Sequence, residues 1–155
     1  MDCKERLQAY FREHNVSFVA VTHPEAYSAQ RIAAELHVTG HQLAKVVMVW
    51  AADELTMAVV PASARVDLRR AADVLGVDNV RLASEAEFGN RFDDCQLGAM
   101  PPFGNLYDLP VFVDPALSDY DDIVFSAGTY TDSIKISYDD FERLVQPRLG
   151  ELTFD

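Results

Sequence analysis

The chain has 155 residues, 49% of them hydrophobic and 25% charged, with a formal net charge of −12. These values describe an ordinary globular chain with one core and exclude a disordered one. They also argue against a broad nucleic-acid-binding face, because phosphate contacts need clustered Lys and Arg. The 13 basic residues are dispersed, with Arg65, Arg69, Arg70 and Arg81 the densest group, so a nucleic-acid partner has to be held locally.

Leu7, Tyr10 and Phe11 recur at helical spacing and predict a first amphipathic helix between Asp2 and Asn15. Phe18–Val21 reads as a short strand ended by His23-Pro24. Ser28 caps a helix carrying Ile32, Ala33 and Leu36, which stops near Thr39-Gly40. Val46–Trp50 and Leu55–Val60 predict an antiparallel hairpin covered on both faces. Val46–Ala52, the longest apolar stretch, is too short to span a bilayer, so no membrane partner is expected. With a charged start at Met1–Arg6 and no visible signal peptide, the cytoplasm is the expected compartment.

Asp67 caps the next helix, whose stripe is Leu68, Ala71, Ala72 and Leu75, and Gly76 ends it. Val80–Ala83 is a strand, and Ser84 with Glu87 has capping-box spacing for a short helix toward Phe92. The loop Gly98–Gly104 precedes strands at Leu109–Val113, Ile123–Ser126 and Ser133–Ser137. Ser137 with Asp140 opens a last helix that ends before Pro147. The expectation is a single α/β domain over residues 1–155 with a mixed central sheet of about six or more strands.

Metal and triad chemistry find little support. His37 and His41 are four residues apart, but Thr39-Gly40 interrupts the helix that would align them. Cys3 and Cys95 read as free thiols in a reducing compartment, and Asp94 beside Cys95 opposes thiolate formation. No Gly-x-Ser-x-Gly elbow or nucleotide-binding glycine loop occurs, so no metal and no cofactor are expected. What remains is Lys45, at the mouth of the apolar run, whose ammonium needs a wet or anionic site. Two glycine loops accompany it, Gly98-Ala99-Met100-Pro101-Pro102-Phe103-Gly104 and Ser126-Ala127-Gly128-Thr129-Tyr130. They can bring backbone N–H groups close to a ligand.

These segments resemble the YbaK/EbsC family, the aminoacyl-tRNA editing domain found alone and within bacterial prolyl-tRNA synthetases, from about Tyr27 to Val145. Lys45 stands where that family has its strand-start lysine, Gly98–Pro102 fits its Gly-x-x-x-Pro loop, and Ser126-Ala127-Gly128 looks like its glycine turn. The resemblance implies a mixed α/β fold around a central, partly barrel-like sheet with surrounding helices. It implies trans-editing: metal-independent hydrolysis of the ester joining a mischarged small amino acid to tRNA, on a proline-tRNA type of substrate. Lys45, Gly98, Ser126 and Gly128 are then the expected catalytic group, with Lys45 anchoring the terminal adenosine's phosphate and glycine-loop N–H groups meeting the oxyanion.

Substrate-binding positions are Tyr27, Ser28, Val46, Ala99, Met100, Pro101, Pro102, Phe103, Ala127, Thr129 and Tyr130, with Met100–Phe103 forming a wall against the larger, correct amino acid. The alanine-clearing branch has asparagine, and the cysteine-clearing branch threonine, where Val46 stands; the alanine branch has histidine where Tyr130 stands. The partner implied is the aminoacyl-tRNA 3′ end, reached alone or with help from a synthetase or elongation factor. Two alternatives stay open: a non-catalytic module sensing an amino acid or aminoacyl-tRNA end, and hydrolysis of a small non-tRNA ester.

Overall fold

Helices begin where a capping side chain meets an otherwise unpaired N–H. In a computed structural model describing residues 1–25 and 28–154, Asp2 accepts from the Glu5 N–H at 2.8 Å and starts α1 (Cys3–Glu13). Ser28 accepts from Arg31 N–H to start α2 (Ala29–Glu35), and Asp67 accepts from Arg69 and Arg70 to start α3 (Leu68–Leu75). Ser84 and Glu87 form the capping box of α4 (Glu85–Phe88), and Ser137 caps α5 (Tyr138–Val145). Each cap stabilises its helix by about 1 kcal/mol. Gly76, at φ 71°, ends α3 in the left-handed conformation that glycine tolerates best.

The strands are β1 (Val19–Thr22), β2 (Ala44–Ala51), β3 (Glu54–Pro61), β4 (Val80–Leu82), β5 (Val111–Val113), β6 (Asp122–Ser126), β7 (Asp132–Ser137) and β8 (Arg148–Leu149). They form two sheets, ordered β4-β2-β3-β5-β8 and β1-β7-β6, rather than one partly closed barrel. The reason lies in β2, which gives one edge to β3 along its whole length and the end of its other edge to β4. Only its entrance is left for β6, where a single parallel bridge joins Leu43 to Val124. The third predicted strand from the end starts at Val111 and not Leu109, since Leu109 N–H donates instead to Gly104 carbonyl and Pro110 has no N–H.

Strand alternation divides the apolar residues among three clusters. Met48, Met57, Val59, Val111 and Val113 from one sheet face Ile123, Phe125, Ile134 and Ile136 from the other, with Leu7 and Phe11 of α1 and Phe141 of α5 completing this main core. Val49, Ala58, Val60 and Phe112 face outward onto α3. Leu43 and Val124, which form the bridge, pack under Ala33 of α2 and its C-cap Leu36. Both faces of the hairpin are therefore covered, as its continuous apolar run requires. No helix among the described residues is long and apolar enough to cross a membrane.

Candidate active site

The two glycine loops are laced together by backbone hydrogen bonds. Gln96 N–H donates to Gly128 carbonyl and Gly128 N–H to Ala99 carbonyl, both at 2.8 Å. Tyr130 N–H donates to Gln96 Oε1 at 2.8 Å, and Tyr130 hydroxyl donates to Leu97 carbonyl. Gly128 sits at φ 94°, and a Cβ added there would lie 2.5 Å from Cys3 Cβ and Sγ, so the position requires glycine twice over. Gly98, at φ 92°, is the exposed member of its loop, with Tyr130 closing over it at 3.4 Å from where a Cβ would stand.

Ala99, Met100, Pro101, Pro102 and Phe103 are buried, and Phe103 is at the centre of an aromatic cluster with Phe11, Phe125 and Phe141 at 5.3–5.7 Å. The stretch thus anchors the loop in the main core and leaves Gly98 as its outward face. Ala127 is likewise fully buried. These placements decide which N–H groups are free. Gly128 N–H is committed to Ala99, whereas the N–H groups of Gly98 and Thr129 meet no acceptor among the described residues.

Asp132 holds the far end of the turn. Its carboxylate accepts from Lys4 Nζ and Thr22 Oγ1 at 2.9 Å and from Thr129 Oγ1 at 2.5 Å. Burial pushes this carboxyl up, but the hydrogen bonds from Thr129, Lys4 and Thr22 outweigh it and hold the group below its ordinary value.

Lys45 approaches from β2. It pairs with Val60, and alternation puts it on the face of Leu43 while Val46 turns to the main core. The Leu43–Val124 bridge is parallel, and two residues onward along β2 and β6, which stay in contact, stand Lys45 and Ser126 on one face. Lys45 is half-buried, and its ammonium has no hydrogen bond or ion pair among the described residues. A cleft of about 470 Å³ opens next to this strand entrance, lined by Ala29, Gln30, Gly40, His41, Ala62 and Ser63. Ser28 caps the helix on its rim; Tyr27 lies outside the described residues.

Ser133, opposite Ser126 across β6–β7, carries a partner that sequence reasoning left aside: His23 Nε2 lies 2.9 Å from Ser133 Oγ. His23 Nδ1 faces Pro24 carbonyl at 3.0 Å and so carries a proton; in the neutral ring Nε2 then accepts from Ser133 hydroxyl. Only its place at the end of a short strand signalled it. Both cysteines are free thiols, as expected, but nothing in the sequence signalled that Cys3, Asp94 and Cys95 come together.

The profile of the aminoacyl-tRNA editing domain matches residues 23–144. The Escherichia coli (strain K12) protein named multifunctional Ser/Thr-tRNA deacylase ProXp-y is 30% identical over 151 residues, covering 94% of this chain and 89% of its own length. A crystal structure described as a candidate trans-editing enzyme for prolyl-tRNA synthetase superposes with a TM-score of 0.83 at 19% identity, covering 99% of this chain and 98% of that one. The hypothetical protein APE2540 superposes with a TM-score of 0.81 at 16% identity, over 96% of this chain and 99% of that one. At those identities the two structures speak for the fold alone.

Proposed function

Because the chain belongs to the aminoacyl-tRNA editing domain family, we propose that it is a trans-acting deacylase that removes a small, wrongly attached amino acid from the 3′ end of tRNA. The observation that carries this reading is an ammonium, Lys45, left without a counter-charge in a protein of net charge −12, on the same face as Ser126. A buried-edge cation kept unpaired calls for an anion brought by the ligand, and the phosphate of a terminal nucleotide supplies one.

Water attacks the ester carbonyl; the tetrahedral oxyanion forms, the bond to the ribose oxygen breaks, and that oxygen takes up a proton. The exposed Gly98 N–H is the donor aimed at the oxyanion, a role worth about 2.7–4 kcal/mol in the transition state. Gly128 serves instead by holding the Gly98 loop through Ala99. Tyr130, over Gly98, is the side chain that limits the size of the amino acid admitted. A synthetase pocket gains only about 1–3 kcal/mol per methylene, which is why small errors need a second site.

The hydroxyl amino acids in the name of the Escherichia coli relative make serine and threonine esters the first substrates to try. With few clustered cations, the chain reads the acceptor end and takes help for the tRNA body from a synthetase or elongation factor, in the cytoplasm, as one unit over residues 1–155. The test is release of labelled amino acid from a panel of mischarged tRNAs by the wild type and Lys45→Ala. Lysine-dependent release names activity and substrate together. Binding of a tRNA end without release by the wild type replaces the enzyme with a sensing module.

A further inference from the structure

Cys3 and Cys95 are 92 positions apart in the chain, yet their sulfurs and an oxygen of Asp94 all lie within 4.8 Å of one another. Tyr107 hydroxyl is 3.5 Å from Cys3 Sγ and 3.2 Å from Cys95 Sγ, and donates to Asp94 Oδ1 at 3.0 Å. A backbone bond from Cys3 N–H to Asp94 carbonyl, 3.0 Å long, brings the two cysteine backbones alongside one another. Cys95 follows Asp94 directly, so closure asks for sulfurs already within 4.8 Å to meet, across Cα atoms that a disulfide holds roughly 4.4–6.8 Å apart. Cys3 is buried and Cys95 half-buried, and both are free thiols.

We propose that Cys3 and Cys95 are an oxidisable pair, closed to a disulfide by hydrogen peroxide, and that closure acts on the Gly98–Gly128 loops. One sulfur of the pair attacks peroxide: an S–O bond forms as the O–O bond breaks, and the leaving hydroxide takes the thiol proton. The other sulfur then attacks the oxidised one; the S–S bond forms, the S–O bond breaks, and the second hydroxide takes the remaining thiol proton. Two thiols and one peroxide give one disulfide and two waters.

The surroundings favour Cys3 as the attacking sulfur. It is the first residue of α1, where the helix favours negative charge, and Arg6 lies over the Tyr107 ring. The Cys95 thiol beside it holds Cys3 below the usual thiol range, against burial, while Cys3 and then burial push Cys95 up. Arg6 also pairs with Asp94 at 3.5 Å, and the phenol already occupies that carboxylate's other oxygen, so the cluster is arranged as a thiol pair more than as a cation site. The route to the editing site is direct. Cys3 Cβ and Sγ press on the place where Gly128 lacks a side chain, and Gln96, next to Cys95, donates its N–H to Gly128 carbonyl.

The experiment treats the full chain with stoichiometric hydrogen peroxide and reads intact mass, a non-reducing peptide map, and amide hydrogen exchange. The expected result is a monomer lighter by two hydrogens, with the Cys3 and Cys95 peptides linked and dithiothreitol restoring both thiols. Exchange at residues 96–99 and 126–130 slows in the oxidised form, and Cys95→Ser shows none of these changes. Added oxygen atoms without linkage, or linkage only between two chains, overturns the pair; linkage with unchanged exchange overturns its action on the loops. Mass and exchange need no substrate, so absence of deacylation in the reduced protein bears on the proposed function and not on the thiol pair.

Discussion

Gly128 gives its N–H to Ala99 and its carbonyl to Gln96, while Lys45 gives its ammonium to no group among the described residues. The glycine-loop side of the site is therefore a frame whose polar groups, apart from the Gly98 and Thr129 N–H groups, are spent on one another, and the β2 side is held open for a ligand. Damage to the frame shows first as lost stability, because satisfied buried groups are left unpaired. Damage to the open side shows as lost activity in a protein that folds normally.

The sharpest contrast comes from Gly128→Ala. Left-handed strain and the collision with Cys3 together cost about 2–5 kcal/mol, read as a fall in the urea midpoint, with deacylation falling alongside. Lys45→Ala is the opposite case. Its unfolding free energy stays within about 0.5 kcal/mol of wild type, while deacylation falls about 10–150-fold, the equivalent of 1.5–3 kcal/mol of charge-assisted bonding. An unstable Lys45→Ala erases the distinction between frame and open side.

Asp132→Asn tests the frame by pH. The wild-type carboxyl titrates below its unfolded value of about 4, so its contribution is complete above that pH and is lost as pH falls through the lower folded value. The variant loses about 1.5 kcal/mol at neutral pH, the low end for bonds to a charged group, and lacks that acid-side decline in denaturant titrations. Tyr130→Phe gives the smallest effect. It removes the hydroxyl that donates to Leu97 carbonyl, costing about 0.5–1 kcal/mol, and hydrogen exchange across residues 97–99 quickens slightly.

The local features were legible because their physics is local. Ser28, Asp67, Ser84 with Glu87, and Ser137 each announce a helix within three residues, and all make the expected bonds. The hairpin announced itself by two apolar runs around a polar turn. The fold class and family resemblance were also readable from Lys45 and the two glycine segments. What stayed hidden depends on distant pairing. Nothing near Asp132 signals that Lys4 and Thr22 converge on it, and nothing near His23 signals Ser133. Which glycine N–H is free is set by the partner loop, so Gly98 and Gly128 look alike in sequence and differ in the fold. The β2 edge shared between β4 and β6, which keeps the sheets apart, is equally a matter of three-dimensional competition.

The Thr22–Asp132 bond and the β1–β7 ladder have a consequence for how the protein is made. During synthesis, Lys4 and Thr22 leave the ribosome more than a hundred residues before the carboxylate that receives them. At about 5–20 residues per second, that is a wait on the order of 5–25 s. Over that interval β1 has no neighbouring strand and the apolar stripe of α1, Leu7 and Phe11, has no finished core to enter. Competence arrives only with β7, and a nascent chain stalled before Asp132 lacks both the strand and the carboxylate that complete this side of the fold.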